Sequence, residues 1–164
     1  TASGTDVFDV TTGASRHLCD CRYVGGSWND AGTILLGGFG DRSGIFRLTL
    51  ADATPVAVTT ADASRGELDT WPAFFPQGDR FLFTRVDRSG ETATFVGTLD
   101  GQPPRLIAEG SLRVVVPASG GRAYLLGVDA SGVVARPFDL ASASVTGPAV
   151  TVAAGAVAVS ASQN

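Results

Sequence analysis

Two turn signals repeated in phase restrict the fold of this chain more than any other feature. Asp41-Arg42-Ser43-Gly44 returns as Asp87-Arg88-Ser89-Gly90 and, slightly altered, as Asp129-Ala130-Ser131-Gly132. The opening Thr1-Ala2-Ser3-Gly4 reads as a further copy, so the glycines at 4, 44, 90 and 132 lie 40, 46 and 42 residues apart. A second series, Gly32, Gly78 and Gly120, precedes the last three of these by 12 residues each time. A fixed period of this length means that one supersecondary unit is repeated along the chain.

Short apolar stretches fill the intervals. Ile34-Leu35-Leu36, Phe81-Leu82-Phe83 and Tyr124-Leu125-Leu126 lie between the paired turns. Val7-Phe8, Ile45 to Leu48, Thr94 to Gly97 and Val133 to Arg136 follow each Ser-Gly turn. A further turn rich in Gly or Pro leads to Val56-Ala57-Val58, Arg105-Leu106-Ile107 and Val150-Thr151-Val152. Trp28, Trp71 to Phe75 and Val114-Val115-Val116 mark the first strand of each unit. Glycine supplies the positive φ of tight hairpins, and Asp and Ser bond back to the local backbone. Four strands in ~43 residues is the period of a β-propeller blade. A sandwich needs no turn sequence at fixed period, and no capped 3.6-residue periodicity marks a helix. The fold expected is therefore an all-β propeller with about three complete four-stranded blades and partial blades at both ends.

The phase divides the chain into a partial blade 1–24, blades 25–60, 61–108 and 109–153, and a partial blade 154–164 whose inner strand is Ala156 to Val159. The chain has no Met and begins within a hairpin. The expectation is an arc of a larger propeller, with an intact four-bladed binding protein as the alternative, because closure alone removes exposed sheet edges.

Composition excludes several functions. The net charge is −4, and the 12 basic side chains are all Arg, spread singly, so no nucleic-acid patch exists. No apolar run reaches the ~18 residues of a membrane helix. The segment Ala149 to Ala161 is interrupted by Thr151, Gly155 and Ser160 and reads as two short strands. Cys19 and Cys21 flank Asp20 close to the single histidine, His17. Neighbours on one strand face lie ~6.5 Å apart at Cα, near the limit for a disulfide, so two free thiols are expected. A zinc site lacks ligands here, and no metal or other cofactor is expected.

No catalytic constellation emerges. Gly-x-Ser-x-Gly is absent, and His17 with Asp20 lacks a nearby nucleophile. Most of the thirteen Asp stand in the repeated turns, where capping accounts for them. The kinase signatures are absent too: no Gly-rich nucleotide loop with its Lys, no His-Arg-Asp and no Asp-Phe-Gly. Trp28 and Trp71 begin corresponding strands and are expected to pack between blades. The connection 59–70 is the longest between blades and carries Asp62, Arg65, Glu67 and Asp69, followed by Trp71. Loops from an outer strand to the next inner strand surround the channel mouth, where variable loops on rigid sheets bind. These five residues form the candidate binding loop for a protein partner or small ligand; Arg65 and Glu67 bonding within their own loop is the competing structural role. Alternate oxygens in 62–69 do not complete a calcium loop.

The run Asp62-Ala63-Ser64-Arg65-Gly66-Glu67, then Trp71-Pro72-Ala73-Phe74-Phe75-Pro76-Gln77-Gly78 and Phe81-Leu82-Phe83, resembles the blade motif of TolB-like, WD-repeat-like propellers. The likeness is greatest to those on the carboxyl side of bacterial serine/threonine protein kinases. Ala135-Arg136-Pro137-Phe138-Asp139-Leu140 and Val145-Thr146-Gly147-Pro148-Ala149-Val150 resemble the last-blade signature of the same group. Where that group often has a His before the Trp-Pro pair, this chain has Asp69 and Thr70, and no role of that His carries over. The resemblance implies a non-catalytic sensing or protein-contact module. It also implies a location outside the cytoplasmic membrane, with any membrane attachment through a parent protein. The propeller of a prolyl-oligopeptidase-like hydrolase is the alternative.

Overall fold

The computed structural model describes residues 4–76, 78–120 and 122–155. The first copy of the turn and the strand expected at Ala156 to Val159 lie largely or wholly outside the described residues.

Antiparallel sheets follow one another along the chain. A hairpin of β1 (Thr5–Phe8) and β2 (Ser15–Cys19) comes first. The next sheet runs β3 (Gly26–Trp28), β4 (Thr33–Leu36), β5 (Phe46–Thr49) and β6 (Val56–Ala57), and is called blade 1. Blade 2 holds β7 (Leu68–Phe74), β8 (Arg80–Val86), β9 (Thr92–Thr98) and β10 (Arg105–Glu109). Blade 3 holds β11 (Leu112–Pro117), β12 (Arg122–Asp129) and β13 (Gly132–Asp139). Its outer position is shared by β14 (Ser144–Val145), which pairs with the end of β13, and β15 (Val150–Ala154), which pairs with its start. A 3-10 turn, Ala63–Arg65, interrupts the connection into blade 2.

Positive φ is common to both turn series, Gly90 and Gly132 having φ 86° and 125°, and Gly44 is the exception. Gly32, Gly78 and Gly120 have φ of 80°, 75° and 70°, the left-handed region that glycine enters without steric cost. Gly44 has no positive φ; a Cβ there would stand 2.1 Å from the carbonyl oxygen of Thr59, so close approach of the segment following β6 demands glycine. The identical tetrapeptides also diverge. Asp87 accepts from the amide and hydroxyl of Ser89, and Asp129 does the same with Ser131. Those bonds hold both carboxylates below the ordinary range. At 41–44 the expected local bond is not made: Phe39 and Arg42 pair instead, and the Ser43 hydroxyl donates to Ala61 O.

The core consists of side chains shared between blades. Phe74, Phe81 and Phe83 of blade 2 cluster with Leu35 and Ile45 of blade 1. Phe75 and Leu82 join Leu112, Val115, Leu125 and Phe138 of blade 3. The hairpin ahead of blade 1 contributes Leu18 and Cys21 to a cluster with Ile34, Leu36 and Leu48. Alternate residues of each strand thus feed the two joints flanking it.

Two expectations are corrected here. Cys19 and Cys21 form a disulfide rather than two free thiols. Strand β2 ends at Cys19 and the chain bends at Asp20, so the Cα atoms are 5.2 Å apart instead of at extended spacing. Trp28 is half exposed and not enclosed between blades.

His17 lies on β2 with Nδ1 2.7 Å from Asp6 and Nε2 3.2 Å from Asp20. The Asp6 bond is the main cause that raises the imidazole above its ordinary 6.5. A raised folded value means that this contact stabilises the hairpin fully below the unfolded pKa and ceases to do so as pH climbs through the folded one. Because His17 is the only histidine, a proton NMR titration reads it directly. The midpoint is expected above 6.5 and lower in Asp6→Asn; a wild-type midpoint at the free-imidazole value contradicts the pairing.

Candidate functional site

The connection entering blade 2 is held by its own acids. Asp62 caps the 3-10 turn, accepting from the amide and hydroxyl of Ser64, and these bonds lower its pKa. Glu67 accepts from the Asp62 amide at 3.2 Å and lies 3.4 Å from both Arg65 Nε and Arg85 Nη1.

Asp69 is fully buried at the joint between blades 1 and 2. Arg85, its cross-strand partner, donates from Nε at 2.7 Å and from Nη2 at 3.0 Å. Thr59 donates its hydroxyl to the same carboxylate at 2.6 Å and receives the Ile45 amide. The Asp69 amide donates to Ser43 O, and the Gly38 amide donates to Asp69 O. The Asp69 bonds raise Arg85 above its ordinary value, and its guanidinium lies 5.0 Å from the Phe95 ring centroid. A buried carboxylate is tolerable only when paired and hydrogen-bonded in this way. Asp69 therefore ties blades together and offers no free oxygen to a ligand.

Two residues on, the inner strand changes character. The register of β7 against β8 shifts between Thr70 and Ala73, so Trp71-Pro72 forms a bulge, a position suited to proline's missing N–H. Trp71 has φ 53°, a left-handed conformation that costs a non-glycine residue about 1–3 kcal/mol. Its N–H leaves the sheet and donates to Val24 O ahead of blade 1 at 2.9 Å. The ring rests on Gly25, where a Cβ would stand 2.7 Å from Cε3, yet Trp71 remains 40% exposed. Over the ring, 4.5 Å from its centroid, sits the Arg113 guanidinium of β11. Arg113 is oriented by Nε donating to Ser111 Oγ at 2.9 Å, a hydroxyl that also bonds Thr84. Partial burial of the guanidinium, which disfavours its charged form, lowers its pKa.

A second stack stands on the blade 1 side. Arg22 lies 4.4 Å above the Phe39 ring. Phe39 follows Gly38, which is bonded to Asp69, and Arg22 stands just before Val24, which is bonded to Trp71. The segments carrying Arg22 and Phe39 are thus both hydrogen-bonded to β7 at the bulge or beside it.

Of the five residues read from sequence, Asp62, Glu67 and Asp69 are committed to internal bonds, while Arg65 and Trp71 remain accessible. Arg85, Arg113, Arg22 and Phe39 were not foreseen. Arg85 was reachable by folding the β7–β8 hairpin about its turn; the other three meet the bulge only through contacts between blades. Among the described residues no cluster of His, Cys, Asp and Glu could hold a metal ion, and no helix is long and apolar enough to cross a membrane.

No family model and no curated protein matches the chain. Solved structures do. A calcium-binding protein, regucalcin, from Agrobacterium tumefaciens aligns over 91% of this chain and 51% of its own, with TM-score 0.64 and 11% identity. A TolB protein of the same bacterium aligns over 84% and 50%, with TM-score 0.59 and 20% identity. The β-propeller domain of the trilobed protease of Pyrococcus furiosus aligns over 79% and 43%, with TM-score 0.52 and 14% identity. The chain thus spans about half the length of these structures or less. At such identities the likeness shows the fold alone: the chain aligns with part of a β-propeller.

Proposed function

We propose that this chain is a non-catalytic binding module, a propeller used for protein contact or ligand sensing within a larger bacterial protein. A membrane-anchored serine/threonine kinase is the parent we favour. One observation carries the reading: Trp71 is held in a strained backbone conformation that turns a large aromatic ring toward solvent between two blades. Strain of this kind persists only where surrounding structure over-determines it, and it concentrates at binding sites. Exposed Trp beside Arg is also the composition of energetic centres in protein interfaces. The Cys19–Cys21 disulfide supports an extracytoplasmic location, because disulfides persist in oxidising compartments.

The likeness to a protease's propeller domain favours a second reading, the propeller of a prolyl-oligopeptidase-like hydrolase. The complete open reading frame distinguishes the two. His-Arg-Asp and Asp-Phe-Gly motifs upstream are the expected result; Gly-x-Ser-x-Gly in a strand–turn–helix downstream overturns the kinase assignment in favour of the hydrolase. A frame holding neither overturns both parents.

A further inference from the structure

The binding reading can be taken one step further, and the inference rests on it. Arg22 on Phe39 and Arg113 on Trp71 form two cation–aromatic stacks, the first on segments hydrogen-bonded to β7 at the bulge or beside it, the second on the bulge itself. Among the described residues neither arginine has a carboxylate within the 4.0 Å limit of an ion pair. What sets these two apart is the closeness of their rings, 4.4 and 4.5 Å from the guanidinium carbon to the ring centroid, against 5.0–5.9 Å for Arg42, Arg80 and Arg85. Arg113 spends only Nε on Ser111, leaving both Nη groups without a protein hydrogen bond among the described residues. A guanidinium flattened on a ring keeps its donor edge open and can grip a carboxylate with two parallel N–H bonds. Tyr23, Phe39 and Trp71 remain 43%, 38% and 40% exposed around these charges.

The geometry points to an acidic polypeptide segment as the ligand: its carboxylates meet Arg22 and Arg113, and its apolar side chains lie across Phe39 and Trp71. Two unpaired cations flanking exposed rings supply charge complementarity at the ends and apolar contact between them. A small anion would use the cations and leave the rings uncovered; a polypeptide uses both.

The test uses the whole chain carrying Trp28→Phe, so that Trp71 is the sole indole. Two degenerate pools of short peptides, acetylated and amidated at their ends, are titrated against its fluorescence. One pool is rich in glutamate and the other has glutamine in its place. The glutamate pool is expected to perturb Trp71 and bind about tenfold or more tightly than the glutamine pool. Arg113→Gln and Arg22→Gln are each expected to weaken it about fivefold, with affinity falling as salt rises. Equal binding of both pools, unmoved by Arg113→Gln and Arg22→Gln, overturns the acidic preference and leaves the binding module standing. No change at Trp71 with either pool overturns both.

Discussion

Replacing Asp69 by alanine is expected to destabilise the chain by about 3–5 kcal/mol, the usual cost of breaking a buried ion pair from one side. The reason is what remains behind. Arg85 loses both bonds to the carboxylate, at 2.7 and 3.0 Å, and keeps Glu67 at 3.4 Å and Thr60 O at 3.2 Å. Thr59 loses the acceptor that fixed its hydroxyl, and through it the Ile45 amide contact slackens. The joint between blades 1 and 2 is therefore the part that opens. Replacing both partners by leucine is expected to cost far less than either single change. Phe83 and Phe95 already flank the guanidinium, so apolar side chains find apolar neighbours there. Urea unfolding midpoints for the wild type, both single variants and the pair read this directly. A loss under about 1 kcal/mol for Asp69→Ala, the size of an ordinary substitution, contradicts the assignment.

The second large effect belongs to the other joint. Phe138 is 1% exposed and meets Phe75 of blade 2 edge-on, centroids 5.5 Å apart. Phe138→Ala is expected to cost about 3–5 kcal/mol through lost transfer energy and the cavity left behind. Phe138→Leu, which keeps most of the volume, should recover much of it. Both joints combine an apolar cluster with arginine bonds: Arg85 grips the buried Asp69 at the first, while Arg80 and Arg105 donate to the carbonyls of residues 140–143 at the second. The residues involved do not overlap, so the losses from Asp69→Ala and Phe138→Ala should add within about 0.5 kcal/mol. Strong non-additivity in the same urea series contradicts separate joints.

The strand order was legible because hairpin turns are local. A positive φ at Gly32, Gly78 and Gly120 is a demand of each turn by itself, so its period survives in the sequence. Side chains that act across blades leave no such trace. Asp69 stood in a loop rich in acids and read as a surface ligand; its burial depends on Thr59 and Arg85, brought to it by two different sheets. The equal tetrapeptides at 41–44 and 87–90 differ in structure: Asp87 bonds Ser89, while Ser43 donates to Ala61 O. Cys19 and Cys21 looked too far apart because strand spacing was assumed past the point where β2 stops. The divided outer edge of blade 3 was likewise hidden, since β14 is only two residues long. Trp71-Pro72 stands out in the sequence, but the bulge it forms, which passes a backbone N–H to Val24 ahead of blade 1, is visible only with Val24 in place.

The arrangement of the blades around Trp71 is open to one direct measurement. Proton–proton Overhauser contacts from the Trp71 ring should reach Gly25 Hα on the blade 1 side and the Arg113 methylene chain on the blade 3 side in the same spectrum. A propeller arc predicts both, because its inner strands converge on the channel. Contacts to one side alone, or to neither, contradict it.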